Sequence, residues 1–324
     1  MSDDRSLDLP AGHPLRQVGN RQAGILSFAQ CRAAGLSAEA IRWRITSGRW
    51  RRLHLGVFAT FTGPLPRPAV LWAALLYAGD GAMLSHSSAG ELVGLVDTPV
   101  PAVHVTIPHG RRLRPVAGVV VHRSRRTAGA RHPSRLPPQT RVEETVLDLA
   151  HAARDLDQAL GWLTRACAQR LTTSDRIGRA LRSRRRMRWR PELLTALADV
   201  ATGCHSWLEL RYLRKVERPH GLPRGVRQQA RTRRGGRWYD DVRYADHATV
   251  VELDGCAAHP EASRARDRRR DNAAIVDGLN VLRYGSADVI ERPCETAVQI
   301  ASTLRRHGWT GPVNRCGPSC RVPG

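Results

Sequence analysis

Lysine is almost missing from this chain of 324 residues: Lys215 is one of 52 basic side chains, and the other 51 are arginine. A coding sequence rich in G and C inflates arginine without any functional cause. The formal charge of +23 and the pI near 11.3 are therefore weaker signs of an acidic partner than they look. Long apolar runs are missing too. The longest, Ala69 to Gly79, falls short of the roughly 18–20 residues of a membrane span. The opening MSDDRSLDLP is acidic and polar, unlike a secretory leader, so a soluble, cytoplasmic protein with no membrane partner is expected. Seven cysteines (Cys31, Cys167, Cys204, Cys256, Cys294, Cys316, Cys320) are odd in number and scattered. That pattern excludes a small disulfide scaffold and reads as reduced thiols, most of them buried. No internal repeat and no long low-complexity tract is present.

What remains is a globular composition, 41% hydrophobic and 25% charged, in a chain longer than one core supports, so two or three domains are expected. Charge is unevenly spread. Residues 1–202 carry 30 basic against 15 acidic side chains, whereas residues 203–308 carry 20 against 14, so nearly half the carboxylates collect in the last third. Candidate seams are FTGPLPRP at 61–68, the arginine-rich stretch before Pro191 and the Gly203 region. The end, GPVNRCGPSCRVPG, reads as a flexible, frayed tail over 309–324.

Near the N-terminus, Ser27 can cap a helix FAQCRAA that stops at Gly35, and Ser37 can cap a second, AEAIRWRITS, that stops at Gly48. In the following RWRRLHLGVFATF, Trp50, Leu53, Leu55, Val57 and Phe61 suggest two short strands around Gly56. This predicts a winged helix-turn-helix over 1–65. Arg42 and Arg44 would lie on the groove-reading helix, and Arg49, Arg51 and Arg52 on the wing that grips phosphates of double-stranded DNA. The alternative is a small domain solvated by arginine in an arginine-biased protein.

That segment resembles the N-terminal winged-helix domain of AbiEi-type antitoxins, DNA-binding regulators of toxin–antitoxin loci, and the resemblance implies a possible toxin partner. It extends more loosely across an α+β middle region, 66–202, with a helix at LSHSSAGELVGL, strands at PAVHVTIPH and GVVVHRS, and an amphipathic helix at TRVEETVLDLAHAA. His86, His104, His109 and His122 show no metal-ligand spacing and read as structural or surface residues. RSRRRMRWR, Arg182 to Arg190, reads either as a phosphate-tracking strip or as a solvated linker.

Beyond residue 203 the expected order is helix (SWLELRYLRKVE), three antiparallel strands (GVRQQAR, RWYDDVRYA, ATVVELDG), an arginine-rich helix, then a strand (NVLRYG). Strand alternation puts Val250, Glu252 and Asp254 on one face and Val251 and Leu253 on the other. Asp241 on the preceding strand lies within hairpin reach of Glu252. Clustered carboxylates raise each other's pKa unless a cation sits between them, and Mg²⁺ (or Mn²⁺) suits oxygen ligands.

The order of elements, with Asp241, Glu252-Leu253-Asp254-Gly255, His259 and RDRRRDNAAIVDGLNVLRYGSADV, resembles the very-short-patch-repair (Vsr-like) branch of the PD-(D/E)XK nucleases over about 203–290. The resemblance implies Asp241 and Glu252 as metal ligands and Glu209 as a further carboxylate. Asp254 stands where many members of the superfamily place a catalytic lysine. His259 is the natural proton acceptor for an attacking water, or an ordinary surface histidine. Arg264, Arg268 and Asp271 can face a phosphate, although Asp267, Arg270 and Asp271 equally suit pairing along a solvated helix.

Cys316-x-x-x-Cys320, with Cys294 and His307 upstream, fits no common zinc spacing, so no zinc site is expected. The fold class expected is multidomain α+β: a winged helix-turn-helix, an α+β middle region and a C-terminal α/β restriction-endonuclease-like domain (αβββαβ) at 203–308. The expected function is metal-dependent hydrolysis of DNA phosphodiesters. The rival is a non-catalytic transcriptional regulator with a degenerate nuclease fold.

Overall fold

Caps and glycines place the first elements of the computed structural model, which describes residues 9–10, 12–201, 206–233, 236–254, 274 and 276–322. Helix α1 (Pro14–Arg21) starts on a proline, with His13 Nδ1 accepting from the Leu15 amide. Strand β1 (Ile25–Ser27) leads directly into α2 (Phe28–Ala33), where Ser27 and Gln30 form a reciprocal capping box. Gly35, at φ 88°, takes the left-handed turn that a side chain would resist. Ser37 then caps α3 (Ala38–Thr46) through the Ala40 amide. Strands β2 (Arg51–His54) and β3 (Val57–Ala59) turn at Gly56 and join β1 in a three-stranded sheet of order β1-β3-β2. Leu15, Leu26, Cys31, Ile41, Trp50 and Phe58 fill the core between these elements.

Helix α4 (Arg67–Ala78) is apolar around most of its circumference and is buried accordingly. It packs with the β5 residues Val103, Val105 and Ile107 in a second cluster. Strands β4 (Met83–Leu84), β5 (Val103–Pro108) and β6 (Val119–Ser124) form another three-stranded sheet, antiparallel then parallel. Helices α5 (His86–Leu92), α6 (Thr127–Ala130) and α7 (Val142–Ala152) complete a compact unit spanning Met1–Arg154.

The second unit, Asp155–Gly324, begins with α8 (Leu156–Ala168), α9 (Ser174–Ser183) and α10 (Arg190–Ala201). The division between units thus falls at 154/155, inside the stretch read as one middle region from 66 to 202. Helix α11 (Trp207–Tyr212) runs on as a π-helical turn, Leu213–Glu217. Strands β7 (Val226–Arg233), β8 (Gly236–Tyr244), β9 (Thr249–Asp254) and β10 (Asn280–Gly285) make a sheet of order β10-β9-β8-β7, with β9 and β10 parallel and the other pairs antiparallel. Helices Ser286–Ile290 and Pro293–Arg306 follow. The core joins Tyr212, Val242, Tyr244, Val251 and Leu253 to Ile300 and Leu304.

The chain end differs from its reading as a frayed tail. Trp309 and Val313 pack on that core, the Asn314 amide donates to the His220 carbonyl at 2.9 Å, and Cys320 and Val322 are buried. Glycine and proline in GPVNRCGPSC give tight turns against a surface rather than freedom, because apolar side chains on either side find a core to enter.

Candidate functional site

The positive groups of α3 and the β2–β3 hairpin divide into two kinds. Arg42, Arg49, Arg51 and Arg52 are exposed. Arg44 is half-buried: it bonds back to the Ala40 carbonyl at 3.0 Å, and its guanidinium lies 5.6 Å from the Trp50 ring centre, over the core. Arg51 reaches the Gly63 carbonyl at 3.3 Å. Beside them stands a residue that charge counting missed: Trp43 is 51% exposed, with the Arg49 guanidinium 4.7 Å from its ring centre. Its signal was a tryptophan on the polar side of a short amphipathic helix. Leu55, at the hairpin tip, is 75% exposed. An exposed aromatic ring beside guanidinium groups can stack and hydrogen-bond at a nucleic-acid groove, and exposed arginines can pair with phosphates.

Of the acidic residues expected in the second unit, Glu209 and Asp241 share a hydrogen-bonding partner, and Asp254 pairs separately. Glu209 and Glu252 are buried, Asp241 is half-buried and Asp254 is exposed. Asp241 accepts from the Leu253 amide at 2.8 Å, which ties it to β9. The Gln228 amide group donates to Glu209 at 3.0 Å and approaches Asp241 at 3.5 Å. Gln228 is held at φ 51° within β7, a strained position for a non-glycine residue, and nothing in the sequence marked it. Asp254 is bound at both oxygens by Arg283 of β10, at 3.0 and 3.1 Å. His259, Arg264, Asp267, Arg268, Arg270 and Asp271 lie outside the described residues. Among the described residues, Glu209, Asp241 and Glu252 are not one of the groups whose ligand atoms all fall within 4.8 Å of one another.

Two groups do meet that condition: His86, His104 and His122, and His220, Cys294, Cys316 and Cys320. The first has no metal-ligand spacing in the sequence, because its members come from α5, β5 and β6 and meet only in the folded chain. His86 and His122 stack at 3.6 Å between ring centres, and His104 Nδ1 lies 3.0 Å from His122 Nε2. Burial, with help from the two neighbouring histidines, pushes the His122 pKa down to about 4 against a pull upward from Asp148. The second group corrects the cysteine reading. Cys294, Cys316 and Cys320 do converge, but with His220; His307 bonds to Asn280 at 2.8 Å instead.

A further buried network was invisible in the sequence. Arg227 pairs with Glu217 at 2.9 Å, each 4% exposed at the side chain, Tyr244 donates to Glu217, and the Tyr212 and Tyr244 hydroxyls are 2.7 Å apart. Burial pushes both tyrosines well above their ordinary pKa.

Residues 15–60 match the AbiEi_4 family, described as transcriptional regulator, AbiEi antitoxin. The span runs from the first turn of α1 to just past β3, and so holds all five of the arginines expected at DNA. The N-terminal region is thus similar to antitoxin-type transcriptional regulators. The matched span does not reach residues 203–308. No curated protein matches the chain at a significant level. Among the described residues, no helix is long and apolar enough to cross a membrane.

Proposed function

We propose that the chain is a DNA-binding transcriptional regulator whose reading head is a winged helix-turn-helix within residues 14–60. The observation that carries this is the antitoxin-regulator match at 15–60, coinciding with two capped helices about a glycine turn and a hairpin bearing exposed arginines. Helix α3 enters the major groove of double-stranded DNA with Arg42 and Trp43 toward the base edges. Arg49, Arg51 and Arg52 contact phosphates, and Arg44 braces the helix against Trp50. The antitoxin likeness extends the proposal to a protein toxin as partner. Selection from a random duplex library tests it: enrichment of a defined site is expected, and a pool that stays random after repeated rounds contradicts a sequence-reading regulator.

One observation supports a second activity, metal-dependent phosphodiester hydrolysis in a Vsr-like, PD-(D/E)XK domain over 203–308. A strained glutamine on an edge strand holds Glu209 and approaches Asp241, on a sheet whose strand order suits that fold. The donor set is hard oxygen, which suits Mg²⁺ or Mn²⁺. Asp241 and Glu252 would hold the ion, with Glu209 beside them, and the metal would supply charge neutralisation at the phosphate and an acidified water. Asp254 is neutralised by Arg283, so its role is structural, and His259 is the proposed proton acceptor. Incubation of plasmid and mismatched duplex with the protein, with Mg²⁺ and with EDTA, decides the matter. Cleavage that needs metal and disappears in Glu252→Ala supports it, and intact DNA under every condition leaves the regulator alone.

A further inference from the structure

Four side chains from three separate stretches of sequence converge near the end of the chain. His220 lies in the turn after the π-helical segment, Cys294 is in the first turn of the helix Pro293–Arg306, and Cys316 and Cys320 flank a Gly-Pro turn closed by the Cys320 amide on the Gly317 carbonyl at 3.1 Å. Cys294 Sγ lies 3.6 Å from Cys316 Sγ and 3.6 Å from Cys320 Sγ, and Cys320 Sγ lies 3.8 Å from His220 Nε2. All four ligand atoms are within 4.8 Å of one another. A disulfide requires about 2.05 Å between sulfurs, so none of these pairs is bonded. With Zn–S near 2.3 Å and Zn–N near 2.0–2.1 Å, a tetrahedral zinc site has edges of about 3.8 Å between sulfurs and about 3.6 Å from sulfur to nitrogen.

The histidine is set for the role. His220 is fully buried, and its Nδ1 lies 2.9 Å from the Val216 carbonyl, to which Nδ1–H donates. That bond fixes the tautomer and leaves the Nε2 lone pair directed at the sulfurs, the arrangement that orients a metal-bound imidazole. The surroundings are equally fixed. The Asn314 amide donates to the His220 carbonyl, and Gly221, at φ 67°, lies so close to Asn314 that a Cβ there would meet its side-chain nitrogen at 2.5 Å.

We propose that His220, Cys294, Cys316 and Cys320 form a structural zinc site that fastens residues 309–322 to the rest of the second unit. Three thiolates and one imidazole select a borderline-soft ion such as zinc over Mg²⁺ or Ca²⁺. Four protein ligands leave no open position, so the site is structural rather than catalytic. Because the ligands come from three separate stretches of chain, metal binding is coupled to folding of this end. The site stands independently of any nuclease activity and of DNA binding.

The test is elemental analysis of the full-length protein, purified without a metal-binding tag and without added zinc, followed by exchange with cobalt(II). One zinc per chain is expected, together with the visible absorption of tetrahedral cobalt–thiolate coordination. Cys316→Ser, at an exposed position, should lose both the metal and the absorption, Cys167→Ser should keep both, and chelation should lower the melting temperature of the wild type and not of Cys316→Ser. Zinc retained by a Cys316→Ser/Cys320→Ser variant would overturn the assignment. So would wild-type protein that takes up neither metal after full reduction and reconstitution, or peptide mapping that finds a native disulfide among these three cysteines.

Discussion

The helix-turn-helix region and the four-stranded sheet both carry many charges, but they treat them in opposite ways. In the first, Arg42, Arg49, Arg51 and Arg52 stand exposed on helix α3, the turn after it and the hairpin. In the second, Arg227 and Glu217 are buried against each other. Glu209, in turn, accepts from Gln228. Charge held in water at a surface is available to a partner, whereas charge withdrawn and paired is committed to the fold. The N-terminal helix and hairpin are therefore the better-supported candidate surface for a partner.

The largest effect should come from breaking a committed pair. Arg227→Met leaves Glu217 buried without its cation and should cost about 3–5 kcal/mol in chemical denaturation. Adding Glu217→Leu should recover much of that loss. A double variant no more stable than the single one would show that the pair is not the source.

Next, Ile41→Ala opens a cavity beneath α3 and should cost about 2–5 kcal/mol, abolishing DNA binding through loss of the helix. Arg42→Ala and Arg52→Ala should instead leave stability within about 0.5 kcal/mol while weakening duplex binding. A large melting shift in either arginine variant would erase the contrast between the two regions.

How legible each region was follows from the same division. The N-terminal head could be read because its determinants are local: Ser27 and Ser37 cap, and Gly35 and Gly56 turn, within a few residues of what they organise. The strands of the second unit were also legible from alternation, as in Val250 to Asp254. The Glu217–Arg227–Tyr244 network, the three histidines and the His220 cysteine cluster depend on contacts between distant segments, which no spacing records. The two units divide at 154/155, a place no composition shift marks, because the sequence of α8–α10 does not say which core they join; Trp207 donates to the Asp157 carbonyl of α8.

A smaller, pH-dependent effect sharpens the picture of the N-terminal unit. His122 has its pKa lowered from 6.5 to about 4 in the folded protein. The unfolded chain therefore binds the proton more readily, and the contribution to stability is complete above about pH 6.5 and lost as pH falls toward 4. Melting temperature should decline across that window, less so in His122→Gln. An unchanged profile would mean that another group controls the acid limb.

The central claim is tested most directly by the salt dependence of duplex binding, measured by fluorescence anisotropy for the wild type, Arg42→Ala, Arg52→Ala and the double variant. Removing Arg52, placed at phosphates, should reduce the slope of log K against log salt by about 1, whereas removing Arg42, placed toward base edges, should lower affinity with a smaller change in slope. Identical affinities and slopes in all four proteins would remove α3 and its hairpin from the DNA interface.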